Sequence, residues 1–428
     1  MPDKVSEDIL LLIFDSFSGP ALLEWPRDTY SHERACAPFI LAAVSRRWRF
    51  LAQSTSTLWT YFGFPPDSKL HGQHFARLQI LLPLVKHTLV DVVFTRNQWE
   101  YDRVHPDTIS ILKVLTQLAT QWRSADFDLG IGISDNRRTS PFKDISEELA
   151  NLEQLSLSFS YGVLQLFNAP RLLRLHLSCD GVDLDHRVPY MPDLMAFSCG
   201  PCTDTTIKDL CLRVSGHLLE LTMVEGHVYR HIPWGELPAA LISFPCLSTL
   251  VLQDGRRLAH LDTPNLQTLA VKGGPMHGIN INPLGHVGIE HLILFGSLNE
   301  QVIHNAEHIQ SISTLSFSVP EAIRKIVDSS ASYYEVLPAF FTELALVQPP
   351  VWPALERVEF GSSIFPIPFQ QFLGFIESRN LARGQSGGRA EWTARPSSIK
   401  KVILPLGLQA PEWFTARLEE LCPHDAPT

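Results

Sequence analysis

The chain has 428 residues, of which 45% are hydrophobic and 19% charged, and this composition excludes a disordered chain. The formal net charge of −10, with no cluster of lysine and arginine larger than an isolated pair, argues against a general nucleic-acid binder, because neutralising phosphates requires clustered basic residues. No stretch approaches the ~18 apolar residues that span a bilayer, so we expect no membrane partner.

The seven cysteines are scattered, without the regular spacing of a disulfide-stapled secreted domain. Acidic residues precede the first apolar run, which is not the pattern of a signal peptide. We therefore expect a soluble protein of a reducing compartment, in the cytoplasm, the nucleus or both.

Residues 1–62 are predicted to form a helical module. Ser6 is a typical N-terminal cap, and the apolar residues from Ile9 to Phe17 recur at spacings of three and four, which places them on one helix face. A second helix is predicted from Pro38, with Ile40, Val44, Trp48 and Leu51 along one stripe.

Three phrases of this module, Val5–Phe14, Ala43–Ala52 and Ser56–Trp59, resemble an F-box. The resemblance implies a three-helix fold that binds a Skp-family adaptor and, through it, a cullin. The adaptor-binding residues that it implies are Val5, Ile9, Leu10, Ile13, Phe14, Phe17, Val44, Trp48, Leu51, Leu58 and Trp59. The alternative is a helical cap that only covers the first strand of the following array.

Residues 63–148 are predicted to contain connecting helices and two weak copies of a repeat, Leu89/Val92/Phe94 and Trp122/Ala125/Phe127. Clear copies of the pattern apolar-x-x-apolar-x-apolar fill residues 149–405. They begin at Leu152, Leu172, Leu194, Leu218, Leu247, Leu266, Ile289, Ile312, Leu355 and Ile399. The mean step is about 23 residues up to Ile312, within the range of leucine-rich repeats.

This array resembles the leucine-rich-repeat family, which implies an α/β solenoid with one parallel strand per repeat. With the helical module, we expect a mixed fold of the α+β or α/β class. Residues 406–428 are predicted to form a short helix between Pro411 and Leu421, followed by a tail.

Strand alternation predicts two faces for each repeat. The fourth and sixth motif positions point into the core, and the third and fifth form a second face, which we call the odd-position face. We expect a protein substrate to bind there, in a groove with a neutral floor and charged ends. The candidate substrate-binding residues are Arg174, His176, Ser198, Glu220, Thr222, Thr249, Val251, Thr268, His291 and Arg357.

The segment Cys199-Gly200-Pro201-Cys202 matches the active-site tetrapeptide of thioredoxin-like oxidoreductases. Cys199, however, falls on the core-facing sixth position of its repeat, and Cys202 on the ninth, where cysteine is common in the family. The paired histidines have no third ligand at a recognisable spacing, so we expect no metal and no cofactor.

An F-box followed by leucine-rich repeats is the arrangement of substrate receptors of Skp/cullin-RING ubiquitin ligases. The sequence therefore predicts a non-catalytic receptor that links an unknown protein substrate to such a ligase. One alternative is a repeat scaffold with no ligase link, and a less favoured one is a dithiol oxidoreductase that uses Cys199 and Cys202.

Overall fold

In a computed structural model, the chain divides into two compact units. The first comprises Met1–Leu210 and Gly226–Arg230, and the second comprises Cys211–Glu225 and His231–Thr428. The structure describes residues 5–18, 31–64, 71–95, 106–131, 148–164, 168–184, 191–200, 210–224, 242–253, 261–273, 288–296, 298, 303, 309–321, 323, 338–347, 350–361, 367–381 and 396–422.

The first unit combines an N-terminal helical module with parallel strands. Its helices are α1 (Glu7–Ser18), α2 (His32–Val44), α3 (Arg46–Ser54), α4 (His71–Val85) and α5 (Pro106–Gln117), with 3-10 turns at Ser56–Trp59 and Ala119–Gln121. Its strands are β1 (Tyr61–Phe64), β2 (Val90–Thr95), β3 (Trp122–Ile131), β4 (Gln154–Leu164), β5 (Arg174–Leu184) and β6 (Ala196–Cys199). Each strand pairs in parallel with the next one along the chain.

The second unit repeats this arrangement with shorter strands. They are β7 (Glu220–Met223), β8 (Ile242–Ser243), β9 (Thr249–Leu252), β10 (Leu261–Asp262), β11 (Thr268–Gly273), β12 (His291–Gly296), β13 (Thr314–Phe317), β14 (Arg357–Phe360) and β15 (Lys401–Ile403). Parallel pairing follows the order β7-β9-β11-β12-β13-β14-β15, while β8 pairs separately with β10. The helices are α6 (Pro338–Leu346), α7 (Phe369–Leu381) and α8 (Glu412–Leu421).

The predicted repeat is confirmed as a strand pattern, in a mixed α/β fold with parallel sheet. Every clear copy coincides with a strand, and within each unit the third position of one copy pairs with the third position of the next, as in Thr249, Thr268 and His291. The fourth- and sixth-position side chains of the copies from Leu152 to Leu355 are at most 3% exposed. The spacing of apolar residues therefore sets both the strand register and the core face.

The two longest steps between copies are filled by helices of the second unit. Helix α6 precedes β14 and helix α7 precedes β15. Their phenylalanines extend the core beyond the strands: the Phe341 ring lies 5.0 Å from Phe372, and Phe372 lies 4.9 Å from Phe360 on β14. Long insertions are tolerated here because each carries its own apolar helix face.

Candidate functional site

Helix α1 begins where the sequence predicts. The Ile9 N–H donates to Ser6 Oγ over 3.4 Å, which makes Ser6 the N-terminal cap. Leu10 and Phe14 are buried, and the Phe14 ring meets that of Trp48 edge to face with centroids 5.4 Å apart. These side chains hold α1 against α3, so one face of α1 is used within the module itself.

The predicted single second helix is wrong, because two helices occupy its place. Ser45 has an extended backbone, with φ −157° and ψ 168°, and this residue ends α2 at Val44. Its Oγ accepts a hydrogen bond from the Trp48 N–H over 3.2 Å and thereby caps α3. Helix α2 also begins at His32, before Pro38, so the apolar stripe is divided between two helix axes.

Among the described residues of the module, five large apolar side chains are exposed. Ile9 and Leu12 on α1 are 51% and 68% exposed, Ile40 and Val44 on α2 are 63% and 54%, and Phe50 on α3 is 72%. We call these residues the exposed apolar set. Exposed large apolar side chains thus occur on all three helices of the module.

The predicted adaptor-binding residues fall into three groups. Ile9 and Val44 belong to the exposed apolar set, and Val5, Ile13 and Trp48 are partly buried. The buried group consists of Leu10, Phe14, Leu51, Leu58 and Trp59. These five side chains support the module from inside, while the Phe17 side chain lies outside the described residues.

Sequence reasoning left Leu12, Ile40 and Phe50 out of the adaptor-binding residues. A signal for Leu12 exists, because the run Ile9–Phe14 is apolar on all sides of the helix. Such a helix needs a second covered face besides the one that packs within its own module.

Helix α2 is fixed to the first strands by a buried charge cluster. Asp91 on β2 is fully buried, and its carboxylate accepts hydrogen bonds from Arg123 Nε over 3.0 Å and from Arg34 Nη2 over 3.4 Å. The Arg34 guanidinium also lies 4.3 Å from the Tyr61 ring, whose hydroxyl accepts the Ser31 N–H over 3.0 Å. Asp91 is the third position of its repeat copy and therefore belongs to the odd-position face. On β2, then, the buried carboxylate of this face is paired with two arginines.

On β3 to β6 the same face carries buried polar side chains. One register row joins Ser124, Gln154, Arg174 and Ala196, and the next joins Asp126, Ser156, His176 and Ser198. We call the residues that are at most 5% exposed the buried polar set: Ser124, Asp126, Asp128, Gln154, Ser156, His176 and Ser198. The Oγ atoms of its three serines and Gln154 Oε1 have no hydrogen-bond partner among the residues that the structure describes.

On the second unit, the odd-position face is divided by position. The third positions form a continuous register row of Glu220, Thr249, Thr268, His291, Thr314, Arg357 and Lys401, all exposed or partly exposed. At the fifth positions, Thr222 and Val251, both expected to face substrate, are buried, as is Ala270.

An apolar cluster accounts for this burial and corrects the expected open, neutral groove floor. Val251 and Ala270 pack with apolar residues that come late in or after the strands: Val224, Phe295, Val319 and Ile323. The accessible part of this face is therefore the third-position row. Among the candidate substrate-binding residues of the first unit, Arg174 is partly exposed and both His176 and Ser198 are buried.

Two candidate substrate-binding residues, His291 and Arg357, meet in a polar network. His291 Nε2 lies 2.7 Å from Ser316 Oγ, the Ser316 hydroxyl donates to Glu359 Oε2 over 3.0 Å, and Arg357 Nε lies 2.5 Å from Glu359 Oε1. Burial lowers the pKa of His291, with the Glu359 charge opposing this shift and the Arg357 charge adding to it.

This network is suited to binding and not to nucleophilic attack. The Ser316 hydroxyl has a single proton, which it gives to Glu359, so His291 is the donor in the contact between its Nε2 and Ser316 Oγ. A general base must instead accept the nucleophile's proton. The arrangement therefore does not activate the serine as a nucleophile.

Cys199 is fully buried on β6, paired in register with Leu177 of the core face. A Cβ atom at Gly200 would lie 2.6 Å from Ser178 Oγ, so close packing against β5 accounts for the glycine of the tetrapeptide. A buried thiol in this position is not presented to a substrate disulfide. Cys202 lies outside the described residues.

Within the described segments, no group of three or more His, Cys, Asp or Glu side chains is placed to hold a metal ion. None of the helices seen there has both the length and the apolar character needed to cross a membrane. No protein-family model matches the sequence, and no curated protein is detectably similar to it.

Proposed function

We propose that this chain is the substrate-recognition subunit of a cullin-RING E3 ubiquitin ligase. The N-terminal module acts as an F-box that binds a Skp-family adaptor, and the leucine-rich-repeat-like strands bind a protein substrate. Such a receptor works in the cytoplasm or the nucleus. The observation that carries the proposal is the exposed apolar set on a helical module whose core is already filled.

The module does not need the exposed apolar set for its own packing. Leu58 and Trp59 close its interior, where Trp59 Nε1 donates to the Ala52 carbonyl over 2.7 Å and its ring meets Phe39. Complete burial of a large apolar side chain contributes about 1.5–3 kcal/mol. The half-exposed side chains of the set therefore hold enough unused apolar surface to anchor a partner.

Charged residues at the edge of this surface favour a defined orientation of the partner. Arg46 and Arg49 are exposed on α3 beside Phe50, and Arg47 lies 4.0 Å from Glu7 of α1. Apolar anchors surrounded by a charged rim are typical of protein interfaces, in which rim charges set the association rate and orientation.

The third-position row of the second unit supports the substrate-binding half of the proposal. It spans seven adjacent strands from Glu220 to Lys401, about 29 Å at the usual strand spacing. Hydroxyl and imidazole groups lie between an acidic end and a basic end. A row of this length accommodates an extended peptide of about eight residues.

The adaptor-binding half is tested by capture of a purified Skp-family adaptor on the immobilised full-length protein. We expect the double variant Val44→Arg/Phe50→Arg to weaken capture by about 30-fold or more, because it places charges among the interface anchors. Both residues are more than half exposed, so the melting temperature of the variant should stay that of the unmodified protein.

Leu346→Arg provides the matched control, since Leu346 is 67% exposed on α6 of the second unit. It should leave adaptor capture unchanged. If the unmodified protein captures no adaptor, the ligase proposal fails and the repeat-scaffold alternative replaces it. Equal losses in the double variant and the control would show that capture is not specific to the module.

A further inference from the structure

The third-position row of the second unit is accessible, whereas the fifth positions beside its middle are closed. Glu220 and Arg357 are exposed, and Thr268 between them is partly exposed. At the fifth positions of the middle strands, Val251 and Ala270 are enclosed in the apolar cluster. A ligand on this face therefore contacts the third-position side chains first.

Charge in this row is confined to its two ends. At one end, Glu220 forms no ion pair with any residue that the structure describes. At the other end, Arg357 on β14 and Lys401 on β15 are paired in register. Glu359 Oε1 lies 2.5 Å from Arg357 Nε and balances one of these two cations, so this end keeps a net positive charge.

The middle of the row offers hydrogen bonds and no charge. The hydroxyls of Thr249, Thr268 and Thr314 can each donate and accept a hydrogen bond. Burial lowers the pKa of His291, which keeps its imidazole neutral at neutral pH. On β11, the next charged residue of this face is Lys272, four residues beyond Thr268 and about 13 Å from it. The row therefore matches a ligand whose charges lie at its ends.

The distance between the charged ends is that of a short extended chain. Glu220 on β7 and Arg357 on β14 are separated by five strand steps, or about 24 Å. An extended chain advances about 3.4 Å per residue, so side chains about seven residues apart reach both ends at once. A single amino acid, or another ligand of that size, reaches only one end.

We propose that the third-position row binds an extended peptide segment that has one basic and one acidic side chain about seven residues apart and only uncharged residues between them. The basic side chain pairs with Glu220, and the acidic one pairs with Arg357 and Lys401. The intervening main chain forms hydrogen bonds with the threonine hydroxyls. Opposite charges at the two ends of the row fix the direction of the segment and thereby set specificity.

The identification of this segment as part of a ligase substrate rests on the proposed function. The row itself lies in the second unit, whereas the exposed apolar set lies in the first. Peptide binding is measured without the adaptor, so the two proposals fail separately.

The binding test uses isothermal titration calorimetry of the full-length protein with capped decapeptides. Lysine and glutamate occupy the second and ninth positions of the peptide, in either order, and the other positions are taken from Gly, Ala, Ser, Thr, Asn and Gln. We expect one of the two orders to bind. Its affinity should fall about tenfold when either charged residue of the peptide is replaced by glutamine.

Charge exchange tests the pairing at the acidic end of the row. Glu220→Lys should weaken binding of the tighter peptide by about tenfold or more. A peptide with glutamate in place of its lysine should bind this variant better than it binds the unmodified protein, which also shows that the variant is folded. Glu290→Lys is the matched control, because Glu290 is exposed and carries the same charge but lies at a second motif position, outside the row. It should change the affinity less than about twofold.

At the basic end, Arg357→Gln should weaken binding of the same peptide by about tenfold, because it removes the exposed cation of the row. Lys400→Gln is its matched control. Lys400 is also exposed, but it lies outside the row and pairs with Glu356 over 2.6 Å, so its removal should leave the affinity nearly unchanged.

Three outcomes would overturn the proposal. They are the absence of binding by peptides of either order, losses that are equal in a variant and its matched control, and failure of the exchanged peptide to bind Glu220→Lys better than the unmodified protein. Each leaves the ligase proposal standing as long as the adaptor is captured. Conversely, the expected peptide binding without adaptor capture would keep the site and remove the ligase.

Discussion

In the second unit, Val251 and Ala270 lie at fifth positions inside an apolar cluster, whereas in the first unit Ser156 and Ser198 lie at fifth positions among buried polar groups. The core faces of both units are alike, with buried apolar side chains at the fourth and sixth positions. The comparison teaches that this backbone constrains the core face strongly and the odd-position face weakly. The side-chain chemistry of the odd-position face therefore differs between the two units without a change of strand architecture.

The largest effect is expected from emptying the apolar cluster. Phe295 is 1% exposed in this cluster, and Phe295→Ala should lower the free energy of unfolding by about 3–5 kcal/mol, because it removes buried surface and leaves a cavity. Denaturant unfolding measures the change. Phe50→Ala, at an exposed position of the first unit, is the control and should change stability little. A small loss for Phe295→Ala would mean that the cluster is not a packed core.

A smaller effect is expected when one unit is given the chemistry of the other. Ala270 is fully buried, and Ala270→Ser adds only a hydroxyl, which should cost about 1–3 kcal/mol if the cluster offers it no partner. The opposite exchange in the first unit, Ser156→Ala, should cost nothing or stabilise. Both are measured by denaturant unfolding. If Ala270→Ser and Ser156→Ala lowered the free energy of unfolding equally, the proposed difference between the units would be wrong.

The strands could be predicted because their signal is local. Alternation with a period of two places the fourth and sixth motif positions on one face, whatever the surrounding segments do. Strand β1 was nevertheless missed. Its signal is Trp59/Phe62/Phe64, which follows the same apolar-x-x-apolar-x-apolar spacing, but the F-box resemblance implies adaptor binding for Trp59. In the structure Trp59 is buried like the first position of the ten clear copies.

Whether the odd-position face is open to solvent or covered could not be predicted from the strands that form it. Whether Val251 is open or closed depends on Val319 and Ile323, which are distant in sequence and belong to no strand motif. Helix faces posed a similar problem, because apolar spacing continued across Ser45 although the backbone turned there. Periodicity identifies which side chains share a face, and tertiary packing decides what covers that face.

The smallest predicted effect concerns the polar network of His291, Ser316, Glu359 and Arg357 in the second unit. The pKa of His291 lies below its usual value of 6.5, chiefly because of burial. As the pH falls through 6.5, the unfolded chain therefore takes up a proton before the folded one, and the free energy of unfolding should decrease. His291→Gln removes this contribution, so the difference in the free energy of unfolding between the unmodified protein and the variant should shrink from pH 8 to pH 5.

Thr249→Val, a change in the same row without a titrating group, should give a stability profile against pH that is parallel to that of the unmodified protein. Parallel profiles for His291→Gln as well would show that the imidazole is not desolvated by the network.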